Sequence, residues 1–232
     1  MRQRGIVTDS AIGNAALVAA LALVPLVVLM LTSFVKLSVV LSLVRNALGA
    51  PEAPSGLVVM GLSLVLTFFV MAPVAVQMVT AAATPTQVSP APPPGQLETA
   101  VRALVPPDRQ ADVDAAARAL VPLEAFLARH AADRDKATFV ELSAKLGRPA
   151  KGDELSVLAP AFLATELREA FAIAVLIFLP FLVIDLLVGL GLGALGLAQT
   201  SPQVVALPLK LLLFVAVDGW RLLFDSLLRG YA

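Results

Sequence analysis

The sequence has no cysteine and only one histidine, His130, and these absences exclude several classes of protein. Without cysteine there can be no disulfide, no thiolate metal site and no cysteine nucleophile. Metal sites normally need several ligands, so we expect His130, in the charged segment ARHAADRDK, to be an isolated surface residue. The sequence also has no glycine-rich phosphate loop, metal-ligand spacing or nucleophile motif. We therefore expect no enzyme activity, no metal and no cofactor.

Charged residues are also scarce. Only 15% of the 232 residues are charged, and 17 basic residues balance 17 acidic ones. This balance leaves no net field that would attract nucleic acid. In contrast, 59% of the residues are hydrophobic and the mean hydropathy is +0.89, values outside the range of ordinary soluble proteins. The composition indicates a membrane-associated protein that does not bind nucleic acid.

Four long hydrophobic segments account for this composition. They cover approximately residues 11–44, 57–83, 170–198 and 204–228. A membrane-spanning helix needs about 20 apolar residues, so each segment is long enough to be one. Prolines at positions 25, 73, 180 and 208 would normally kink such helices. We predict an all-α fold of membrane-associated helical hairpins with kinked or broken helices. The first segment is too long for a signal peptide, so we expect no cleavage there.

The segment between the second and third hydrophobic runs has a different character. It begins with TPTQVSPAPPPG, which favours an extended linker. The stretches QADVDAAARALVPLEAFLARHAADRD and ATFVELSAKL follow, and their apolar spacing predicts a small polar helical insert. We divide the chain into an N-terminal hydrophobic hairpin region (1–83), a proline-rich linker (84–96), a polar helical domain (97–159) and a C-terminal hydrophobic hairpin region (160–232).

Four ionisable residues lie in or beside the hydrophobic segments: Lys36, Asp185, Lys210 and Asp218. Each such residue costs about 2.5–3.5 kcal/mol on membrane-insertion scales. Lys36 and Asp218 lie near segment ends, from which they could reach the interface. Asp185 and Lys210 are surrounded by apolar sequence. We expect these two to form buried polar pairs between helices or to line a wet cavity.

Three blocks of sequence are long, ordered and distinctive. They are TSFVKLSVVLSLVRNALG (Thr32–Gly49), PAFLATELREAFAIAVLIFLPFLVIDLL (Pro160–Leu187) and SPQVVALPLKLLLFVAVDGWRLL (Ser201–Leu223). Together they resemble the export-gate membrane proteins of type III secretion systems, the FliP/SctR type. The resemblance implies a core subunit of the export apparatus that forms the entry gate for unfolded protein substrates. The sequence TSFVKLSVVLS favours the injectisome branch, and the flagellar branch is the alternative.

The resemblance also implies partners and a location. It implies a homo-oligomer that joins two smaller membrane subunits, FliQ/SctS-like and FliR/SctT-like, in a helical funnel through which unfolded polypeptides pass. The location implied is the bacterial inner membrane, in a multi-pass arrangement with a periplasmic domain. The residues expected to be assembly or buried polar positions are Lys36, Arg45, Asn46, Glu166, Asp185, Lys210 and Asp218. We also expect that a single chain leaves Asp185 and Lys210 unpaired.

The loop before Ser201-Pro202 is the candidate gate. Many family members carry methionines there, and methionine is flexible enough to form a deformable seal. Here the loop reads Leu197-Ala198-Gln199, where leucine can still seal and glutamine can hydrate. We expect these three residues to form the gate or pore loop, although a plain turn is the alternative.

Two other functions stay open on the sequence. Broken helices with buried charges also occur in small secondary transporters or channels. A structural scaffold without a conduit is the third possibility. An export gate should purify as a large multi-subunit particle, and a transporter as a monomer or dimer. A scaffold should tolerate bulky or charged replacements in the loop at 197–199.

Overall fold

The computed structural model describes residues 27, 29–49, 54–83, 110–197 and 199–231, and every regular element in these ranges is a helix. The helices are α1 (Phe34–Ala47), α2 (Gly56–Ala83), α3 (Gln110–His130), α4 (Asp133–Lys145), α5 (Leu155–Ala194), α6 (Pro202–Ala216) and α7 (Gly219–Arg229). The all-α prediction is confirmed, and helices α3 and α4 form the polar insert. The linker at 84–96, the start of the first hydrophobic segment and Ala198 lie outside the described residues.

The hydrophobic helices continue through their prolines. Pro73 lies inside α2, Pro180 inside α5 and Pro208 inside α6. A proline inside a helix removes one backbone hydrogen bond. In an apolar setting, packing against neighbouring helices can compensate for this loss. The interruptions in the hydrophobic C-terminal half lie elsewhere, in the loop between α5 and α6 and at Asp218.

Helix α5 is the central element of the fold. Its 40 residues give a length of about 60 Å. Helices α1, α3, α4 and α6 pack against it, α2 packs against α1 and α3, and α7 packs against α6. The boundary expected at 159/160 falls inside α5, so the polar insert and the hydrophobic region share one continuous helix.

Two apolar clusters lie along α5. In the first, Phe162 of α5 packs with Leu127 of α3, and both are fully buried. In the second, Phe181 of α5 lies with Leu37 of α1 and Leu227 of α7. Burying one such side chain contributes about 1.5–3 kcal/mol. These clusters hold α1 and α7 on one part of α5 and the polar insert on the other.

Much apolar surface remains exposed outside these clusters. Helices α2 and α5 are both long and apolar enough to cross a bilayer. Phe68 on α2 is 75% exposed and Leu176 on α5 is 70% exposed. Soluble monomers rarely leave such large contiguous apolar surfaces in water. Lipid or other subunits must therefore cover these faces.

The turn between α6 and α7 depends on two residues. Asp218 has a left-handed backbone, with φ 52° and ψ 53°. Aspartate enters this region more readily than bulky residues do. A Cβ at Gly219 would overlap the Phe214 ring, so only glycine fits next to the turn. The Asp-Gly pair therefore ends α6 and sets the direction in which α7 leaves.

Candidate functional site

A buried ionic cluster joins α1, α5 and the segment after α7. The Nζ atom of Lys36 lies 3.2 Å from Glu166 Oε1 and 2.6 Å from Glu169 Oε2. The Tyr231 hydroxyl donates a hydrogen bond to Glu166 Oε2. Lys36 Nζ also lies 4.4 Å from the centre of the Tyr231 ring. Lys36 and Glu166 are each only 1% exposed, so this pair is shielded from water.

The cluster shows whether Lys36 reaches the membrane interface or is a buried polar residue. Its side chain does not extend to an interface, because it is buried and paired within the same chain. Glu166 and Glu169 are three residues apart on α5 and therefore share a face, which is the spacing that brings both carboxylates to one lysine. The sequence reasoning included Glu166 but missed Glu169 and Tyr231. The i,i+3 spacing in ATELREAF was the available signal for Glu169.

The expectation that His130 is an isolated surface residue was wrong. His130 is half-buried, with its ring centroid 4.4 Å from that of Phe126 and 5.4 Å from that of Tyr231. Its Nδ1 atom lies 2.8 Å from the Phe126 carbonyl oxygen. Burial is the main reason that the pKa of His130 lies below its ordinary value. The residue is thus part of the aromatic packing around Tyr231 and not an isolated surface group.

A second ion pair joins α5 and α6. Lys210 Nζ lies 2.7 Å from Asp185 Oδ2 and also donates to the Ala47 carbonyl oxygen at 3.1 Å. The Lys210 side chain is 7% exposed and that of Asp185 is 39% exposed. The expectation that one chain leaves these residues unpaired was wrong. Helices α5 and α6 lie side by side, so the charges neutralise each other within the subunit.

The other predicted polar residues do not join these pairs. Asn46 and Asp218 are exposed, and Arg45 is half-buried at the end of α1. Asp218 has no ion pair with the residues that the structure describes. Within the same ranges, no group of three or more histidine, aspartate or glutamate side chains is arranged to hold a metal ion.

The candidate gate loop begins where α5 ends. Gly196 has φ 71°, a conformation that suits glycine, and the Leu197 amide donates to the Leu192 carbonyl oxygen at 2.9 Å. Leu197 and Gln199 are exposed on either side of Ala198. The loop therefore presents one apolar and one amide side chain outside the packed part of the subunit.

A third polar network, which the sequence reasoning missed, fixes the polar insert to α5. Asp135 at the start of α4 accepts hydrogen bonds from Arg168 and from the Thr165 hydroxyl, the latter at 2.6 Å. The Thr165 oxygen in turn accepts a bond from the Ala132 amide at 3.0 Å. The bond from Arg168 is the main reason that the pKa of Asp135 lies below its ordinary value, although burial acts in the opposite direction. The network ties α4 to α5.

We expect Asp135→Ala to destabilise the protein by about 1.5–3 kcal/mol at neutral pH, because charged hydrogen bonds to α5 are lost. Since the folded protein lowers the pKa of Asp135, this contribution is complete above about pH 4 and disappears as the pH falls through the lower folded value. Unfolding of the purified protein in detergent, followed at pH 7 and at pH 3, measures the effect. Asp133→Ala is the control, because its side chain is 99% exposed. Equal effects of both variants would contradict the role of Asp135 in tying α4 to α5.

Comparisons with known proteins identify the family of this chain. The FliP family model matches residues 17–227. Over 217 residues the chain is 41% identical to "Hypersensitivity response secretion protein HrcR" of Ralstonia nicotianae, covering 91% of this chain and 93% of that protein. It is 39% identical over 220 residues to "Flagellar biosynthetic protein FliP" of Pectobacterium carotovorum, covering 93% and 76%. It is 36% identical over 217 residues to "Virulence protein YscR" of Salmonella typhimurium, covering 91% and 93%. The chain therefore belongs to the FliP family.

Proposed function

We propose that this protein is a core subunit of a type III secretion export apparatus, in which it forms part of the entry gate for unfolded protein substrates. The observation that carries the proposal is the match to the FliP family along residues 17–227, which includes all seven described helices except the end of α7. Relatives with secretion, virulence and flagellar names fit one export function and not a small-solute transporter. We place the protein in the injectisome branch, with the flagellar branch as the alternative.

The exposed surface supports an assembly in the inner membrane. Besides the apolar faces of α2 and α5, Gly189, Gly191 and Gly193 face open space, since a Cβ at each would have no neighbour within 4 Å. Small residues let another helix approach closely. These faces would contact further copies of the chain and two smaller membrane subunits of the FliQ/SctS and FliR/SctT types. The polar insert would lie on the periplasmic side.

The ion pairs have a role within the subunit in this proposal. Lys36 with Glu166, and Lys210 with Asp185, are already paired, so they shape the subunit that assembles. The exposed Asn46 and Asp218 remain available for contacts between subunits. The loop from Leu197 to Gln199 would line the conduit. Lys210 and Asp185 would then affect assembly through the shape of α5 and α6.

The test of the function begins with the mass of the assembled particle. The chain is co-expressed with its two small hydrophobic partners and extracted in mild detergent. We expect a particle several times the 24.1 kDa mass of one chain that contains all three proteins. A monomer or dimer without partners would contradict the export-gate proposal.

The second stage tests the loop in that same particle. Gln199→Ala should change ion leakage through the reconstituted particle and leave its mass unaltered, because the Gln199 side chain is exposed. Gln203→Ala is the matched control, since Gln203 is also exposed but lies in α6. If conductance stays unchanged in the Gln199 variant, or changes equally in both, the loop does not line the conduit.

A further inference from the structure

The polar insert meets the buried ionic cluster through the side chain of Tyr231. The Tyr231 ring is stacked on Phe126 of α3, with 6.1 Å between ring centroids, and its centroid lies 5.4 Å from that of the His130 ring. The same side chain contacts the cluster, because its hydroxyl donates to Glu166 and Lys36 Nζ lies 4.4 Å from the centre of its ring. Tyr231 therefore connects α3 to both α1 and α5.

The contacts of His130 suit a neutral ring. A carbonyl oxygen can only accept, so the distance of 2.8 Å between His130 Nδ1 and the Phe126 carbonyl oxygen places the proton of the neutral imidazole on Nδ1. A second proton would go to Nε2 and make the ring a cation. Glu166 and Glu169, the carboxylates of the adjacent cluster, are already paired with Lys36. Neither is therefore free to pair with a charged His130.

The surroundings of His130 disfavour its protonation. Burial is the main reason that the pKa of His130 lies below its ordinary value, and Lys36 and Arg129 act in the same direction. The bond to the Phe126 carbonyl oxygen and the Glu169 charge act in the opposite direction without offsetting this effect. Helix α2, which also packs against α3, has no ionisable side chain. Other ionisable groups near this junction on α4 and α5 pair with one another, Arg168 with Asp135 and Lys136 with Asp133. A proton on His130 thus adds a second cation beside Lys36.

We propose that His130 is a proton-operated latch, which holds the polar insert on Tyr231 while the ring is neutral and releases it when the ring is protonated. The charged ring moves toward water, because a buried cation without a counter-charge is costly. Tyr231 then loses the His130 ring from its packing, whereas Lys36 and Glu166 remain paired. The open state, in which the ring has its ordinary pKa of 6.5, binds the second proton more tightly than the closed state. The latch therefore weakens as the pH falls below about 6.5.

The first experiment follows the two rings of the latch directly. The chain has one histidine and one tyrosine, so each residue type gives its own ring signal in an NMR spectrum. The full chain, labelled with ¹³C in both residue types, is titrated in neutral detergent from about pH 8 to about pH 5, the range in which histidine changes charge. We expect the His130 signal to titrate with a midpoint below 6.5 and the Tyr231 signal to shift with the same midpoint.

Two results of this titration would overturn the proposal, and neither requires a variant. One is an ordinary or higher midpoint for His130, and the other is a Tyr231 signal that does not follow the titration. The latch is a property of the single subunit, so these results do not depend on the proposed export function.

A single introduced thiol then measures whether the junction opens. The chain has no cysteine, and Ala131, the residue after His130, is only 4% exposed. The labelling rate of Ala131→Cys with an uncharged thiol reagent is divided by that of Ala131→Cys/His130→Gln, in which the side chain at 130 cannot be charged. Ionisation of the thiol cancels in this ratio, because both proteins carry the same cysteine. We expect the ratio to rise from about pH 7 to about pH 5, by at most about tenfold per pH unit for one proton. An equal ratio at both pH values would show that protonation of His130 does not open the junction and would overturn the proposal.

Discussion

Replacing Lys36 with alanine should destabilise the protein by about 3–5 kcal/mol, because the change leaves the buried Glu166 carboxylate without its cation. For a chain of this size such a loss lowers the midpoint of thermal unfolding by about 10 °C. Glu169 is half-exposed and can be hydrated when Lys36 is lost, so the penalty comes mainly from Glu166. Circular dichroism of the purified chain in a fixed detergent measures the shift.

A matched control separates burial from ion pairing as such. Lys145 also pairs with a glutamate, Glu141, at 2.6 Å, but both side chains are 67% exposed. Lys145→Ala should therefore change stability by no more than about 0.5 kcal/mol. The double variant Lys36→Ala/Glu166→Gln should recover part of the loss, because it removes the uncompensated charge as well. If Lys36→Ala and Lys145→Ala behave alike, burial of the cluster does not matter to the fold.

In the second ion pair, the loss of Asp185 and the loss of Lys210 should have unequal effects on stability. Asp185→Ala leaves the Lys210 ammonium group buried with only the Ala47 carbonyl oxygen, and we expect a loss of about 3–5 kcal/mol. Lys210→Ala leaves the Asp185 carboxylate, which lies partly at the surface of the subunit, and one unpaired carbonyl group. We expect a loss of about 1–3 kcal/mol in that case. Chemical unfolding in one detergent compares the two variants.

The combined variant Asp185→Ala/Lys210→Ala tests the reason for this inequality. It should be more stable than Asp185→Ala alone, because no buried ammonium group remains. Normal stability of Asp185→Ala would show that Lys210 finds another partner. A Lys210→Ala variant that loses more stability than Asp185→Ala would reverse the assignment of the buried partner.

Local sequence patterns predicted the helices because the signals lie within a few residues. The apolar runs predicted helices such as α2 and α5, and the spacing in the polar insert predicted α3 and α4. The continuity of α5 was harder to predict, because Pro160 and Pro180 each suggest an interruption. A helix that packs against neighbouring helices along its length tolerates prolines. Sequence periodicity does not show where that packing occurs.

The partners of the charged residues could not be read from local patterns. Lys210 reaches Asp185 across 25 sequence positions, and Tyr231 reaches Glu166 across 65. Composition singled out the charges because they are costly in apolar sequence, but it could not tell a partner in the same chain from one in another. The Asp135 network escaped notice for a related reason. Charges in a polar segment are ordinary, and only the packing of α4 against α5 makes this one buried.

The length of α5 makes it a lever. From Glu166, which is fixed by the Lys36 cluster, to Ala194, where the loop begins, the helix extends about 42 Å at 1.5 Å per residue. A tilt of about 5° at the fixed end therefore displaces the far end by about 4 Å, roughly two thirds of one helical pitch. Pro180 stands midway, at a point where one backbone hydrogen bond is missing. Small angular adjustments beside the polar insert thus become atom-sized movements of Leu197 and Gln199.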